Sequence, residues 1–285
     1  MNPRKGNFVF VGGTQGIGKA VAMEAARAGC AILLVARDPI AGQAAVEEMK
    51  VAGAVEASFH SADLSTIAGM AAVGDMIAAW KPQLHGLMHS AMCAFSQKTI
   101  TSDGLELAFA LQYFARAVIN RKAKDVLAAS GDGRIVHLAG AVPYKIAKPV
   151  MDDLQYEHRK WSFFKAILST HVMGFMFLDQ ASRRWADASV RLYATGVNTT
   201  KTKVMADPDM HWIMRLMANF GTKPETSAQN AVRLLLSSQS PEPRAGLLKH
   251  AGKYVISPFD HPQEEAERLW DTTTTLAAKY GVVLQ

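Results

Sequence analysis

The 285-residue chain reads as an α/β protein. The expected architecture is a doubly wound parallel sheet of about seven strands with helices on both faces. Three observations predict it. Short, nearly continuous apolar runs alternate with helical stretches along the whole length, as strands buried on both faces do. A glycine cluster follows the first run and opens a helix. No repeat, linker or compositional shift interrupts the alternation, so residues 1–285 are read as a single domain.

Each element follows from its local pattern. Phe8–Val11 is a strand, followed by a Gly-rich turn and an Ala-rich helix ending near Ala28. Ala31–Ala36 is the second strand, with a helix after it ending near Lys50; a third strand precedes Asp63. A helix spans 65–80, Leu87–Ser90 is the fourth strand, and a long helix is expected over 103–130. Arg134–Leu138, a helix over 160–186 and Val190–Ala194 continue the alternation. Segment 200–224 reads as irregular; a helix, a short strand at Lys253–Ile256 and a final helix close the chain.

Composition narrows the function. A hydrophobic content of 49% excludes disorder, and two distant cysteines, Cys30 and Cys93, disfavour a disulfide scaffold or a cysteine-based metal site. His85 and His89 lack a carboxylate partner motif, so no metal is expected. There is no apolar run of about 18 residues, hence no membrane span. Met1-Asn2-Pro3-Arg4-Lys5-Gly6 does not resemble a signal peptide, so a cytoplasmic protein is expected. The net charge of +6 comes from scattered residues, which suits a phosphorylated small ligand better than nucleic acid.

Gly12-Gly13-Thr14-Gln15-Gly16-Ile17-Gly18 lies between the first strand and the first helix. Gly12 supplies a tight turn, Gly16 lets the backbone approach a pyrophosphate, and Gly18 allows helix and strand to pack closely. The helix start then offers N–H groups and a positive dipole end to the phosphates. The second strand ends Val35-Ala36-Arg37-Asp38. Ala36 removes the acid that a 2′-hydroxyl would want, and Arg37 offers a bidentate partner to a 2′-phosphate. The expected cofactor is NADP(H).

The spacing Gly12-x-x-x-Gly16-x-Gly18 resembles that of the short-chain dehydrogenase/reductase family. Further landmarks recur in order: Asp63-Leu64, Asp103-Gly104-Leu105-Glu106-Leu107, Gly133-Arg134-Ile135-Val136, and Thr195-Gly196-Val197-Asn198-Thr199-Thr200. The resemblance implies that Asp63 and Leu64 contact the adenine and that the 195–200 turn, with Thr199, holds the nicotinamide side. It also implies a homodimer or homotetramer paired through the long helices. Asp152-Asp153-Leu154 resembles retinol-dehydrogenase-like members; Gln112-Tyr113-Phe114-Ala115-Arg116 is closer to fungal-type members poor in the usual catalytic residues.

Those residues are Asn, Ser, Tyr and Lys, and three of the four are missing. The Tyr-x-x-x-Lys pair falls on Trp161 and Lys165, the serine falls in His137-Leu138-Ala139-Gly140, and the asparagine falls on Gln112. An indole N–H cannot exchange a proton usefully. Lys165 would still hold the nicotinamide ribose. Gln112 and Arg116, one turn apart, project from one helix face. Asp152 (or Asp153) with Arg116 is expected to replace tyrosine, as an acid and an anion-stabilising cation. Tyr144, Tyr156 and His158 are reserve acids, and Tyr144, Tyr156 and Trp161 are expected to line the substrate cleft.

Met210, Met214 and Met217 recur at i, i+4 and i+7 within 200–224, a segment expected to form a substrate lid. Methionine makes an adaptable apolar wall for a bulky ligand. The expectation is therefore an NADP(H)-dependent oxidoreductase with a non-standard active site, reducing a carbonyl, imine or enone in a hydrophobic substrate, in secondary metabolism. The alternatives are a non-redox cyclase or isomerase on the same scaffold, or a silent NADP-binding protein.

Overall fold

The computed structural model describes residues 3–93, 95–197, 199–202, 210–218, 220–250 and 252–284, without the side chains of 217 and 218. The elements run β1 (Asn7–Val11), α1 (Gly16–Arg27), β2 (Ala31–Ala36), α2 (Pro39–Ala52), β3 (Glu56–Ser61), α3 (Ile67–Trp80) and β4 (Gly86–His89). A π-helical turn, Phe109–Phe114, then continues as α4 (Ala115–Ala128). β5 (Gly133–Ala139), α5 (Phe163–Arg184), β6 (Val190–Gly196), α6 (Trp212–Ala218), α7 (Pro224–Leu236), β7 (Ala245–Leu248), β8 (Ile256–Ser257) and α8 (Gln263–Lys279) complete the chain.

The sheet order is β3-β2-β1-β4-β5-β6-β7-β8; β1 to β7 are parallel and β8 pairs antiparallel with β7. The winding reverses between β1 and β4. A crevice therefore opens at the carboxyl ends of these two strands, where ligands of such sheets bind. Alternation along β1 divides the core: Phe8 and Phe10 pack with α1, α2 and α7, whereas Val9 and Val11 pack with α3, α4, α5 and α8.

The departures from expectation are local. The long helix begins at residue 107, turning π-helical from Phe109, rather than near 103. The Asp103 carboxylate accepts the Ile67 N–H (2.6 Å) at the start of α3, and Thr101 Oγ1 accepts the Leu105 N–H (3.2 Å), so this stretch is a turn. β7 is additional: a four-residue run behind Pro241-Glu242-Pro243-Arg244 carries no period to read. The strand expected at Lys253–Ile256 is β8, shifted to Ile256–Ser257.

At the amino ends of β5 and β6 the Asp132 carboxylate accepts from Arg4 (3.0 Å), Arg134 (2.6 Å) and Arg191 (2.9 Å). The wholly buried Arg134 also donates to the carbonyls of Leu234 (2.9 Å) and Ser237 (2.8 Å). Burial opposes ionisation of Asp132, but Arg134 and Arg4 outweigh it and hold the carboxyl below its usual range.

Candidate active site

The glycine turn is shaped by the end of β4. A Cβ on Gly12 (φ +92°) would fall 2.4 Å from the Ala91 nitrogen, and one on Gly18 would fall 2.1 Å from Ser90 Oγ. Gly16 (φ +58°) instead faces Thr202, whose methyl lies 3.1 Å from where its Cβ would be. Gln15 occupies the N-cap of α1 but its side chain caps nothing, so the first-turn N–H groups have no side-chain acceptor. Thr14 is half-buried and Ile17 packs into the core beneath. These positions fit a dinucleotide: a pyrophosphate would lie on the α1 amino end, where only glycines clear the strand.

At the tip of β2, Asp38 accepts the N–H groups of Ile40 (2.9 Å) and Ala41 (3.1 Å) and so caps α2. Arg37 beside it is exposed and forms no ion pair among the described residues. Asp63 is exposed at the end of β3, its Oδ1 accepting the Ser65 N–H (2.9 Å), while Leu64 is buried in the core. The Thr199 carbonyl accepts the Thr222 N–H (2.9 Å), tying the turn after β6 to the start of α7. Asn198 and residues 203–209 of the expected lid lie outside the described residues.

The position of the family's tyrosine has a partner that sequence reasoning missed. Trp161 is half-buried and donates its indole N–H to Glu106 Oε1 (3.2 Å), while Glu106 Oε2 accepts the Phe109 N–H (2.8 Å). Burial pushes the Glu106 carboxyl above its usual range, against those two donors. Lys165 is exposed, four residues beyond Trp161 on α5.

A buried polar layer lies under the carboxyl ends of β4 and β5. Gln112, Arg116 and Asn120 follow at i, i+4 and i+8 on the helix facing them, exposed 1%, 3% and 0%. Gln112 donates to Thr170 Oγ1 (3.2 Å). Arg116 donates to the carbonyls of Leu138 (3.0 Å) and Ala91 (3.2 Å). Its guanidinium has no carboxylate partner among the described residues, and burial pulls its pKa down to about 10. His89 Nε2–H donates to Asn120 Oδ1 (2.8 Å), and Asn120 Nδ2–H donates to His137 Nε2 (2.8 Å). The Gly140 N–H donates to His171 Nδ1 (3.0 Å). His89 and His171 are pulled down to about 3, first by burial and then by the Arg116 charge, so both rings are neutral. Cys93, also buried, is pushed up to about 12 by burial and then by Glu106, with Arg37 and Arg116 opposing.

Several expected roles need correction. Asp152 is exposed and pairs with Arg268 of α8, so it does not meet Arg116. Asp153 accepts the N–H groups of Glu157 (2.6 Å) and Arg159 (3.2 Å) and the Arg159 side chain (3.2 Å). Burial opposes its ionisation, but these donors hold its carboxyl below the usual range, the wrong direction for an acid. Tyr144 bonds Glu265 of α8, and desolvation with that carboxylate raises its pKa. Tyr156 is buried in the left-handed region (φ 58°), with the Arg159 guanidinium 3.9 Å from its ring centroid. His158 is an exposed loop residue.

Of the lid methionines, Met210 is buried and bridges to Phe95, and Met214 is half-buried on α6; the Met217 side chain lies outside the described residues. His211 stacks on Phe163 (4.7 Å between centroids), fastening α6 to the start of α5 just past Trp161. Trp212 and Leu216 point outward, 66% and 54% exposed.

The chain is similar to known proteins. A family profile described as short chain dehydrogenase matches residues 7–145. Retinol dehydrogenase 12 of Homo sapiens is 25% identical over 280 residues, covering 94% of this chain and 85% of the relative. Among solved structures, a short-chain dehydrogenase from Sphingobium yanoikuyae in complex with NADPH superposes with TM-score 0.64 at 17% identity, covering 95% of each chain. A 3-ketoacyl-(acyl-carrier-protein) reductase from Brucella melitensis complexed with NADH gives TM-score 0.66 at 16% identity, covering 90% of this chain and 100% of that one. These likenesses extend over the fold.

Proposed function

We propose that this chain, which matches the short chain dehydrogenase profile over residues 7–145 and is similar to retinol dehydrogenase 12, is a member of the short-chain dehydrogenase/reductase family and an NADP(H)-dependent oxidoreductase with a non-standard active site. Its substrate is a bulky hydrophobic molecule of secondary metabolism, reduced at a carbonyl, imine or conjugated alkene. The observation that carries the reading is a dinucleotide cradle beside a crevice in which the tyrosine place is taken by an indole bound to Glu106. Asp38 is occupied as a helix cap while Arg37 stays exposed, and this favours a 2′-phosphate over a 2′-hydroxyl. Met210, Met214 and Trp161 supply the apolar wall, with Lys165 on the ribose side.

When bound, NADPH supplies the hydride; the chain's residues bind, orient and exclude water. The test is the loss of NADPH absorbance with a panel of hydrophobic aldehydes, ketones, imines and enones, retinal included because a relative is named a retinol dehydrogenase. Tight NADPH binding with no turnover on the whole panel overturns the reductase reading. Product formed without NADPH consumption would instead identify a cyclase or isomerase, a reading favoured by the loss of the tyrosine and serine. Arg37→Ala should weaken NADPH by about tenfold or more, from loss of one charge-assisted contact, and leave NADH unchanged; equal losses reject the NADP assignment.

A further inference from the structure

Four buried polar atoms in the layer beneath the crevice have no hydrogen-bond partner among the described residues: Arg116 Nε, His171 Nε2, Gln112 Oε1 and His137 Nδ1. Such atoms cost free energy unless something meets them. Three of the four are donors, and the placement of two of these is informative. The His171 ring stands beside the place of a side chain on residue 140: a Cβ on Gly140 would lie 3.2 Å from His171 Nδ1 and 3.5 Å from its Cε1. Residue 140 belongs to the turn on which the family's serine falls. The imidazole thus lies against the place of the missing hydroxyl side chain.

The tautomer of that ring is fixed. Nδ1 accepts the Gly140 N–H, so the proton sits on Nε2 and can only be donated. Arg116 lies close enough for its charge to disfavour protonation of the ring, which burial disfavours first. A neutral imidazole with one N–H free to donate is an electrophile for an oxygen, and a desolvated one is strong. Val142 packs over the same spot, its methyl 3.4 Å from that hypothetical Cβ. Arg116 adds an unpaired N–H and a positive charge with no counter-ion.

We propose that His171 Nε2–H and Arg116 Nε–H form an oxyanion site for the carbonyl oxygen of an α,β-unsaturated ketone or aldehyde. The proposal rests on the reading of the chain as a reductase and chooses among its substrate classes. Hydride addition at the β-carbon moves the alkene electron pair toward the oxygen as the dihydronicotinamide is oxidised. The resulting enolate is held by the two donors, and a water proton then arrives at the α-carbon. An ordinary ketone would leave an alkoxide, a stronger base that needs an acid in the transition state. Neither a neutral imidazole nor a guanidinium gives up its proton readily, and the tyrosine is absent. A protonated imine would bring a second positive charge against Arg116, which lacks a counter-ion.

The test uses the full chain saturated with NADP+, labelled with 15N-histidine and titrated with 4-phenyl-3-buten-2-one, a hydrophobic enone that cannot react with the oxidised cofactor. The His171 Nε2–H proton resonance should move downfield and saturate, with its signal assigned by its loss in His171→Phe. A resonance unmoved to the solubility limit, or a proton found on Nδ1, overturns the site. With NADPH, His171→Phe should lower kcat on the same enone by about 100-fold, the effect of removing one oxyanion donor. His171→Gln should recover part of it, with NADPH affinity unchanged in both. Faster turnover of 4-phenyl-2-butanone than of the enone overturns the substrate class. A saturable His171 shift with no NADPH consumption leaves the oxygen site standing and removes the reductase reading.

Discussion

Trp161→Phe removes one hydrogen-bond donor while keeping an aromatic ring, and the structure sets the size of the effect. The indole N–H meets Glu106 Oε1 at 3.2 Å. Bonds to charged groups contribute about 1.5–3 kcal/mol, and this one is long, so its share lies near the lower end. With the smaller ring of a half-buried side chain, the loss comes to about 2 kcal/mol. For an m-value of about 2–3 kcal/mol/M the urea midpoint should fall by about 0.7–1 M at pH 8. Glu106 gives the loss a pH signature. Its folded carboxyl is raised above the ordinary 4.5, chiefly by burial. Such a group contributes its stability in full below the unfolded value and loses it as pH rises through the folded value. The indole bond serves mainly the charged form, so the deficit of the variant is largest at pH 8 and shrinks as the pH falls to 4.5. Unfolding of wild type, Trp161→Phe, Glu106→Gln and the double variant at both pH values measures the coupling. Equal deficits at the two pH values, or additive losses, would refute the pairing and with it the account of why an indole sits at the tyrosine position.

Other consequences are quickly checked. Asp152→Asn removes only an exposed pair with Arg268, so stability should stay within about 0.5 kcal/mol and NADPH turnover should match wild type; lost activity would return Asp152 to the cleft. Gly18→Ala places a methyl 2.1 Å from Ser90 Oγ, so calorimetry should find NADPH binding weakened at least tenfold, or the fold strained first; wild-type affinity contradicts the close approach. His89, His137 and His171 are all depressed by burial, then by neighbouring charge, so the stability they confer is present above 6.5 and lost as pH falls below it. Each removes up to about 1.4 kcal/mol per pH unit, roughly 4 for the three, and urea midpoints flat between pH 7 and 5 would contradict a neutral buried cluster.

The fold was legible because its signals are local. Strands of four to seven residues, glycines at a turn and helix periods act within a few positions of each other, and they placed β1, β2, β4, β5 and β6 within two residues and β3 ahead of Asp63. The spacing of Gln112 and Arg116 likewise foretold a shared helix face. What stayed hidden was contact across sequence. Asp152 and Tyr144 find partners on α8 that lie 116 and 121 residues away, and no pattern near either residue records that. The adjacent carboxylates Asp152 and Asp153 look alike in sequence and differ only in what surrounds them. Glu106 and Trp161 are joined over 55 positions. His171 left one clue: an imidazole inside Ser169-Thr170-His171-Val172-Met173-Gly174-Phe175, in the buried middle of α5, must find a partner.

The knot around Asp132 bears on how the crevice can be re-engineered. It fastens the amino ends of β5 and β6, whereas Gly140 and the turn after β6 stand at the carboxyl ends. β5 is seven residues long, and at about 3.3 Å per residue the two ends stand roughly 20 Å apart. Beyond about 10 Å, the effects of substitutions add rather than interact. The sheet therefore behaves as a plank bolted at one end, whose far edge can be recarved without loosening the bolt. Restoring a serine at 140 together with a smaller residue at 171, and a tyrosine at 161, becomes a set of edits whose cost is confined to the edge where they are made.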